Sequence, residues 1–569
     1  LFLEISNSRW AANAAPDSAI SDLTPIHRLG SLSSEQCPSR LVDVLNSFGD
    51  ADLERIAWIV RGANGAMDGA YTWREIRQRC ASAAAFLVSH GVQSQDRVAN
   101  LCSNQLDWAI LDLACSALNA IHAPLDRRLR SHQYRACIEQ TQPKVVFCER
   151  GDELLDDRWL PIDRLVQSVT AFELSEWTRE FRPTDVANIL FTSGTSSAPR
   201  GVMLTHRNLV SNAMAKLDAM PQNPDDHRLN LLPFAHAYAR TCELSTWILS
   251  RSSMEVADSM KGLIAIASAA SPSLINGVPW LFETIRAHCE STVVGDCTDR
   301  ELVRRALQAA LGKRIRRLAC GGAGIRDSTR HWFANLGYPI YQGYGLTEAS
   351  PVICSNRDET AHHPSILEHV GPPVQGVEIR IDTESRLWVK GDGVMAGYWN
   401  DRKATEQRVR DGWLDTGDIV ERVSQDQSNI AIVGDCIRIL GRADDAIVLT
   451  SGYKVHPLPI ELHLRSLPEF PVCLLIGNQR PYPILLISIP GELAKLESPE
   501  WKAEMMSKVR QVLSGYPAFA VPRAILGVND RWEFEADLSN FKGALLRSRI
   551  EQRYQVAIDL LYKKNHPSS

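Results

Sequence analysis

From residue 71 to residue 191 the chain alternates stretches of helical period with short apolar runs, and this alternation restricts the fold more than any other feature. Tyr71 to His90 carries its apolar residues at helical spacing and ends at Gly91, a good helix stop. Arg97 to Leu101 is a short apolar strand candidate, Leu106 to Ala120 is again helical, and Lys144 to Cys148 is again strand-like. Val186 to Phe191 is a further apolar run and leads straight into a Ser/Thr/Gly loop. Strands separated by helices of this length argue for parallel βαβ units with both faces covered. The predicted fold class is α/β.

With 569 residues the chain exceeds what one hydrophobic core usually organises, so at least two domains are expected. Residues 1–40 are rich in Ser, Ala, Asn and Pro and read as a loosely held lead-in. After Gly371-Pro372-Pro373, short strands and turns dominate to about Arg442, which predicts a β-rich subdomain. The final segment has strand candidates at Val472 to Ile476 and Ile484 to Ile489, then helices, and reads as a small α+β domain.

Several function classes drop out. A net charge of −5 gives no footprint for nucleic acid, and Lys313-Arg314-Ile315-Arg316-Arg317 is expected to be a solvated face. The 13 cysteines form no CxxC pair and no metal spacing, so reduced, buried thiols in a cytoplasmic protein are expected. The apolar stretch Leu263 to Phe282 is interrupted by Ser268, Ser271, Pro272, Ser273, Asn276 and Pro279, and reads as a buried helix, a turn and a strand rather than a membrane span. The first residues lack a charged segment followed by an apolar run, so no signal peptide is expected.

The strongest local signal is Phe191-Thr192-Ser193-Gly194-Thr195-Ser196-Ser197-Ala198-Pro199-Arg200-Gly201. Hydroxyls and backbone N–H groups in such a loop can wrap phosphate oxygens, and Arg200 can offset their charge. It is not a Walker A loop, because Gly-x-x-x-x-Gly-Lys-Ser/Thr is absent.

This segment resembles the phosphate loop of the adenylate-forming superfamily of acyl-CoA synthetases, peptide-synthetase adenylation domains and luciferases. Ser197 stands where that loop has a glycine, and Arg200 where it has a lysine. Further motifs follow in the family's order. Leu232-Pro233-Phe234-Ala235-His236-Ala237-Tyr238-Ala239-Arg240 resembles the segment whose His or aromatic residue borders the acyl site, and Gly321-Gly322-Ala323 the turn that lies against adenine. Tyr341-Gln342-Gly343-Tyr344-Gly345-Leu346-Thr347-Glu348 implies Tyr344 stacking on adenine, Gln342 at its amino edge, Thr347 at the α-phosphate, and Glu348 with Thr192 holding Mg²⁺. Asp418 in Thr416-Gly417-Asp418 would accept from the ribose hydroxyls. Gly441-Arg442-Ala443-Asp444-Asp445 resembles the hinge motif, with Arg442 on the ribose and Asp444 as pivot. Gly452 would let the thiol's pantetheine arm pass the backbone. Ala349-Ser350-Pro351-Val352 and Asn478-Gln479-Arg480-Pro481-Tyr482-Pro483 look like the long-chain fatty-acid branch.

The resemblance implies a large AMP-binding domain over 41–442, a hinge at 443–445 and a small mobile domain over 446–569. It implies ATP, Mg²⁺ and CoA, and a fatty or other small carboxylic acid activated to an acyl-adenylate and then a thioester. The family's bridging lysine lies in Gly-Lys-x-x-Arg, whereas this chain reads Lys542-Gly543-Ala544-Leu545-Leu546-Arg547. Ala544 takes the ungapped position, so Lys542 is the candidate. Two other readings stay open: transfer to an acyl carrier protein, and a family member that binds nucleotide without turnover. Oligomeric state and peripheral membrane contact are open as well.

Overall fold

The computed structural model describes residues 38–62, 66–152, 155–166, 173–192, 199–293, 299–357, 369–423, 436–491, 496, 498–532, 535, 538–539 and 545–564. The expected alternation is there. The helix Trp73–Ser89 starts with a capping box, in which Thr72 accepts from the Glu75 amide and the Glu75 carboxylate accepts from the Thr72 amide. Such caps stabilise a helix by about 1 kcal/mol. Trp73, Ile76, Cys80, Ala84 and Leu87 share its buried face. The strand Arg97–Leu101 lies between Ile121–Pro124 and Val145–Cys148, parallel to both. Val186–Thr192 joins Ile121–Pro124 in parallel.

Among the described residues these strands belong to a seven-stranded sheet, packed beside an eight-stranded sheet that runs from Val352–Ser355 at one edge to Met67–Thr72 at the other. A five-stranded antiparallel sheet follows, from Val377–Ile381 to Cys436–Arg442, as the β-rich texture predicts. The last domain has its own three-stranded sheet: Val472–Ile476 and Ile484–Ser488 pair antiparallel, and Ile525–Val528 lies parallel to the latter. Its apolar core is separate from those of the large domain. The fold is thus mixed α/β, with a large N-terminal domain and a small α+β C-terminal one.

The structure differs from the sequence reading in several places, first at Tyr71 and Thr72, which belong to the strand Met67–Thr72 and not to the helix. The helix after residue 106 ends at Ala117, three residues early, because the chain turns at Asn119 with φ 54°. Leu263 to Phe282 is a helix (Met260–Ala270) and a strand (Leu274–Gly277), but Pro279 opens a new helix, Pro279–Thr292, as its locked φ favours at a first helical position. The basic run is not all solvated: Arg316 pairs with Asp226, and Arg317 is buried against the Pro221 carbonyl. Arg40, counted with the lead-in, is buried and donates to the carbonyls of Ser116 and Arg179. The 11 described cysteines are buried and form no disulfide with one another. Burial pushes the Cys137 thiol up to about 12. Among the described residues no helix is long and apolar enough to cross a membrane.

Candidate active site

A cleft of about 3600 Å³ opens between the two domains, lined by residues from both. Thr192, Arg200, His236, Gly322, Ala323, Gln342, Tyr344, Gly345, Thr347, Glu348, Asp418 and Arg442 all reach its wall. Residues as far apart in sequence as Thr192 and Arg442 are therefore brought to one place by the ends of three sheets.

The phosphate-loop candidate is flanked by two strands that pair antiparallel. Thr192 ends one strand and lies opposite Arg200, which begins the next, Arg200–Thr205. The following helix, His206–Ala219, starts only after that second strand. Ser193, Gly194, Thr195, Ser196 and Ser197 lie outside the described residues.

The strand Ile340–Gly345 carries Gln342 and Tyr344 to the cleft, and a 3₁₀ turn, Thr347–Ala349, presents Thr347 and Glu348. Gly345 is required by contact: a Cβ there would sit 1.7 Å from the Pro351 carbonyl oxygen. Gly322 has φ 80°, a left-handed backbone that presents the Gly322-Ala323 turn without a side chain in the way. Tyr344 donates its hydroxyl proton to Asp418 Oδ2 at 2.5 Å, and Arg442 Nη1 donates to Asp418 Oδ1 at 3.0 Å. Burial dominates at Asp418 and raises its carboxyl above the usual range, although Arg442 and Tyr344 pull the other way. Burial likewise holds the Tyr344 phenol protonated.

His236 stands at the cleft wall with Nε2 2.6 Å from Asp126 Oδ2. Arg128 also bonds Asp126, at 2.7 Å. Burial opposes ionisation of Asp126, but the bonds from His236 and Arg128 hold it well below the usual carboxylate range. We assign the Nε2 proton to the bond with Asp126, which makes His236 an oriented wall residue rather than a base with that nitrogen available. Asp126 and Arg128 were not singled out from sequence; the charge-dense Asp126-Arg127-Arg128 after a buried strand was the available signal. Tyr398 was missed too. It lines the cleft and donates to Glu348 Oε1 at 2.8 Å.

Gly452 is not brought to this cleft. It lies in a turn with open space around it, next to Tyr453, which is 52% exposed and stacks on Phe519. Lys542 and Ala544 lie outside the described residues. For a cation, Glu348 offers a carboxylate on the wall, with the Thr192 hydroxyl on the same cleft. No group of three or more metal-ligating His, Cys, Asp or Glu side chains occurs among the described residues. One carboxylate plus phosphate oxygens suits Mg²⁺, which keeps few protein ligands, better than a metal that needs a protein cage.

Fold and cleft together define a two-domain α/β protein with a slot between the domains that suits a phosphorylated nucleotide. The chain belongs to the AMP-binding enzyme family: residues 54–399 match the model described as AMP-binding enzyme, and residues 444–566 the AMP-binding enzyme C-terminal domain. It is 27% identical over 486 residues to long-chain-fatty-acid–CoA ligase FadD15 of Mycobacterium bovis, covering 75% of this chain and 79% of that one. It is 25% identical over 508 residues to a feruloyl-CoA synthase of Amycolatopsis, covering 85% and 94%. The structure of O-succinylbenzoate coenzyme A synthetase from Bacillus subtilis, in complex with ATP and magnesium ion, has the same fold, with TM-score 0.70 at 20% identity over 90% of this chain and 98% of that one.

Proposed function

We propose that the chain is an ATP-dependent acid–CoA ligase that converts a medium- or long-chain fatty acid to an acyl-adenylate and then to its CoA thioester. The observation that carries this reading is the gathering of Thr347, Glu348, Tyr344, Asp418, Arg442 and Arg200 on one interdomain cleft. The likeness to a relative named long-chain-fatty-acid–CoA ligase supports the choice of acid.

In the first half-reaction a carboxylate oxygen attacks the α-phosphorus of ATP, and the bond to pyrophosphate breaks. Both reactants are anions; two unit charges about 4 Å apart repel by about 4 kcal/mol at an effective dielectric near 20. The chain's answer is a set of fixed donors and cations. Arg200 faces the phosphates, Thr347 offers a hydroxyl to the α-phosphate, and Asp418 accepts from the ribose hydroxyls. Tyr344 and the Gly322-Ala323 turn enclose the flat base. Glu348 and Thr192 would hold Mg²⁺, which supplies further neutralisation of phosphate charge. Lys542 is assigned the bridge between carboxylate and α-phosphate. Holding the reactants in line lowers the barrier further. In the second half-reaction the CoA sulfur attacks the acyl carbonyl, the thiol proton is lost, and AMP leaves.

The test is exchange of labelled pyrophosphate into ATP with a panel of acids from C4 to C18 and aromatic acids, followed by AMP release with CoA or an acyl carrier protein as acceptor. Exchange with fatty acids and CoA-dependent AMP release are expected. No exchange with any acid would remove the reading.

A further inference from the structure

Glu348 and Arg200 sit on separate elements, yet one side chain touches both. Tyr398 Oη donates to Glu348 Oε1 at 2.8 Å, and the guanidinium carbon of Arg200 lies 5.7 Å from the centre of the Tyr398 ring. No other hydrogen bond to the Glu348 carboxylate occurs among the described residues, and Glu348 lines the cleft. Tyr398 itself is 5% exposed and held from both sides. Its short strand, Gly397–Tyr398, pairs antiparallel with Met203 and Val202, and its amide donates to Thr405 Oγ1 at 2.9 Å. The neighbouring backbone stitches the same two elements: Met395 N donates to the Glu348 carbonyl at 2.9 Å, and Trp399 N donates to the Gly201 carbonyl at 2.7 Å.

We propose that Tyr398 is a positioning residue that fixes the cation-binding carboxylate of Glu348 through its hydroxyl and the phosphate-facing guanidinium of Arg200 through its ring. The proposal rests on the nucleotide reading of the cleft given above. A carboxylate with one oxygen tied by a donor presents the other in a single direction, which is how an outer partner orients a metal ligand. A guanidinium over an aromatic face keeps all its N–H donors in the ring's outward direction, available for phosphate oxygens. The two contacts separate by substitution, since phenylalanine keeps the ring and loses only the hydroxyl.

The experiment is calorimetric or fluorescence titration of the full chain with ATP, in excess Mg²⁺ and in EDTA, for wild type, Tyr398→Phe and Tyr398→Leu. For Tyr398→Phe the Kd for ATP in Mg²⁺ is expected to rise about tenfold. In EDTA it should move less than about twofold, and the Mg²⁺ concentration for half-maximal pyrophosphate exchange should rise with the first figure. Tyr398→Leu, which also removes the ring beneath Arg200, should in addition weaken ATP binding in EDTA about two- to fivefold. A Tyr398→Phe protein equal to wild type in Mg²⁺, or equally weakened in both arms, overturns the hydroxyl's role. A Tyr398→Leu protein equal to Tyr398→Phe in EDTA overturns the ring's. If wild type itself binds no ATP, the nucleotide reading falls and this inference with it; if wild type binds and the variants do not differ, only this inference falls.

Discussion

The phenol of Tyr344 and the carboxylate of Asp418, 74 residues apart, meet in a 2.5 Å hydrogen bond at the cleft wall, with Arg442 on the carboxylate's other oxygen at 3.0 Å. In the proposed reading, base platform and ribose acceptor are thus one unit. Asp418→Asn would deprive the ribose hydroxyls of a charged acceptor and leave Arg442 without its counter-charge. Hydrogen bonds to a charged group are worth about 1.5–3 kcal/mol, so AMP affinity should fall about 10- to 100-fold in direct titration. The pH dependence has a definite sign. Burial raises the Asp418 carboxyl above the ordinary aspartate value. Ribose binding needs the ionised form, so AMP affinity should drop on acidification sooner than an ordinary aspartate would allow. Its contribution to folding runs the opposite way: a raised folded value favours the fold at low pH, and that contribution is lost as pH rises through the raised value. The Asn variant should abolish both dependences.

Gly345→Ala should disable the site through backbone displacement. The added methyl would need the space of the Pro351 carbonyl oxygen, 1.7 Å away, and neither partner is a flexible side chain. Overpacking of this kind costs about 3 kcal/mol. Because Thr347 and Glu348 follow within three residues, pyrophosphate exchange should fall more than stability alone explains. Urea unfolding, read for the midpoint at unchanged slope, together with exchange assays on the folded fraction, checks both parts.

Beneath the phosphate hairpin lies a buried polar knot. Asp112 accepts from Arg240 at 2.6 Å, from His122 at 2.9 Å and from Asn188 at 3.2 Å. It joins a helix, two strands and the π-helical turn Arg240–Ser245, just after the His236 segment. Burial works against the charge, but Arg240 and His122 bring the carboxyl down to about 2. Asp112→Ala would strand a buried guanidinium and should cost about 3–5 kcal/mol in denaturant unfolding. Since the folded value is depressed, the stability Asp112 confers is present above the ordinary aspartate value, and it should be lost as pH falls through about 2. The variant should lack that acid-limb loss.

Legibility from sequence followed the range of the causes. The strand Arg97–Leu101 and the end of the first long helix at Gly91 were readable because an apolar period and a glycine with φ 74° are local facts. The positions that reach the cleft wall around Tyr344 to Glu348 were readable because they form one contiguous block with a family likeness. Tyr398 and Asp126 were not, because each acquires its role from a partner 50 or 110 residues away and is unremarkable among its own neighbours. The hairpin nature of the phosphate loop escaped for a related reason: Arg200–Thr205 is as apolar as a parallel strand, and only its pairing to Val186–Thr192 reveals the reversal. The buried Arg317 shows the limit of charge runs as evidence, since a guanidinium bonded to the Pro221 carbonyl looks, in sequence, like any solvated arginine.

The assignment of Lys542 is open to a decisive half-reaction test. Its segment starts and ends at a pinned base: Ser539 and Leu545 form an antiparallel bridge, and Leu546 N donates to the Leu538 carbonyl at 2.7 Å. Arg547, next in the chain, holds Glu461 at 2.8 Å and 3.0 Å, and Leu545, Leu546 and Arg547 line the cleft. Lys542 itself lies outside the described residues, three positions before Leu545. If its ammonium bridges carboxylate and α-phosphate, Lys542→Ala should slow pyrophosphate exchange by about 10²–10³, the loss typical of one transition-state donor. Thioester formation from a supplied acyl-adenylate does not need that bridge and should stay within about twofold of wild type, because the same protein without its lysine still offers CoA an activated carbonyl. Equal loss in both half-reactions would assign Lys542 to folding or to the thiol channel instead, and loss in neither would return the bridging role to another cation of the cleft.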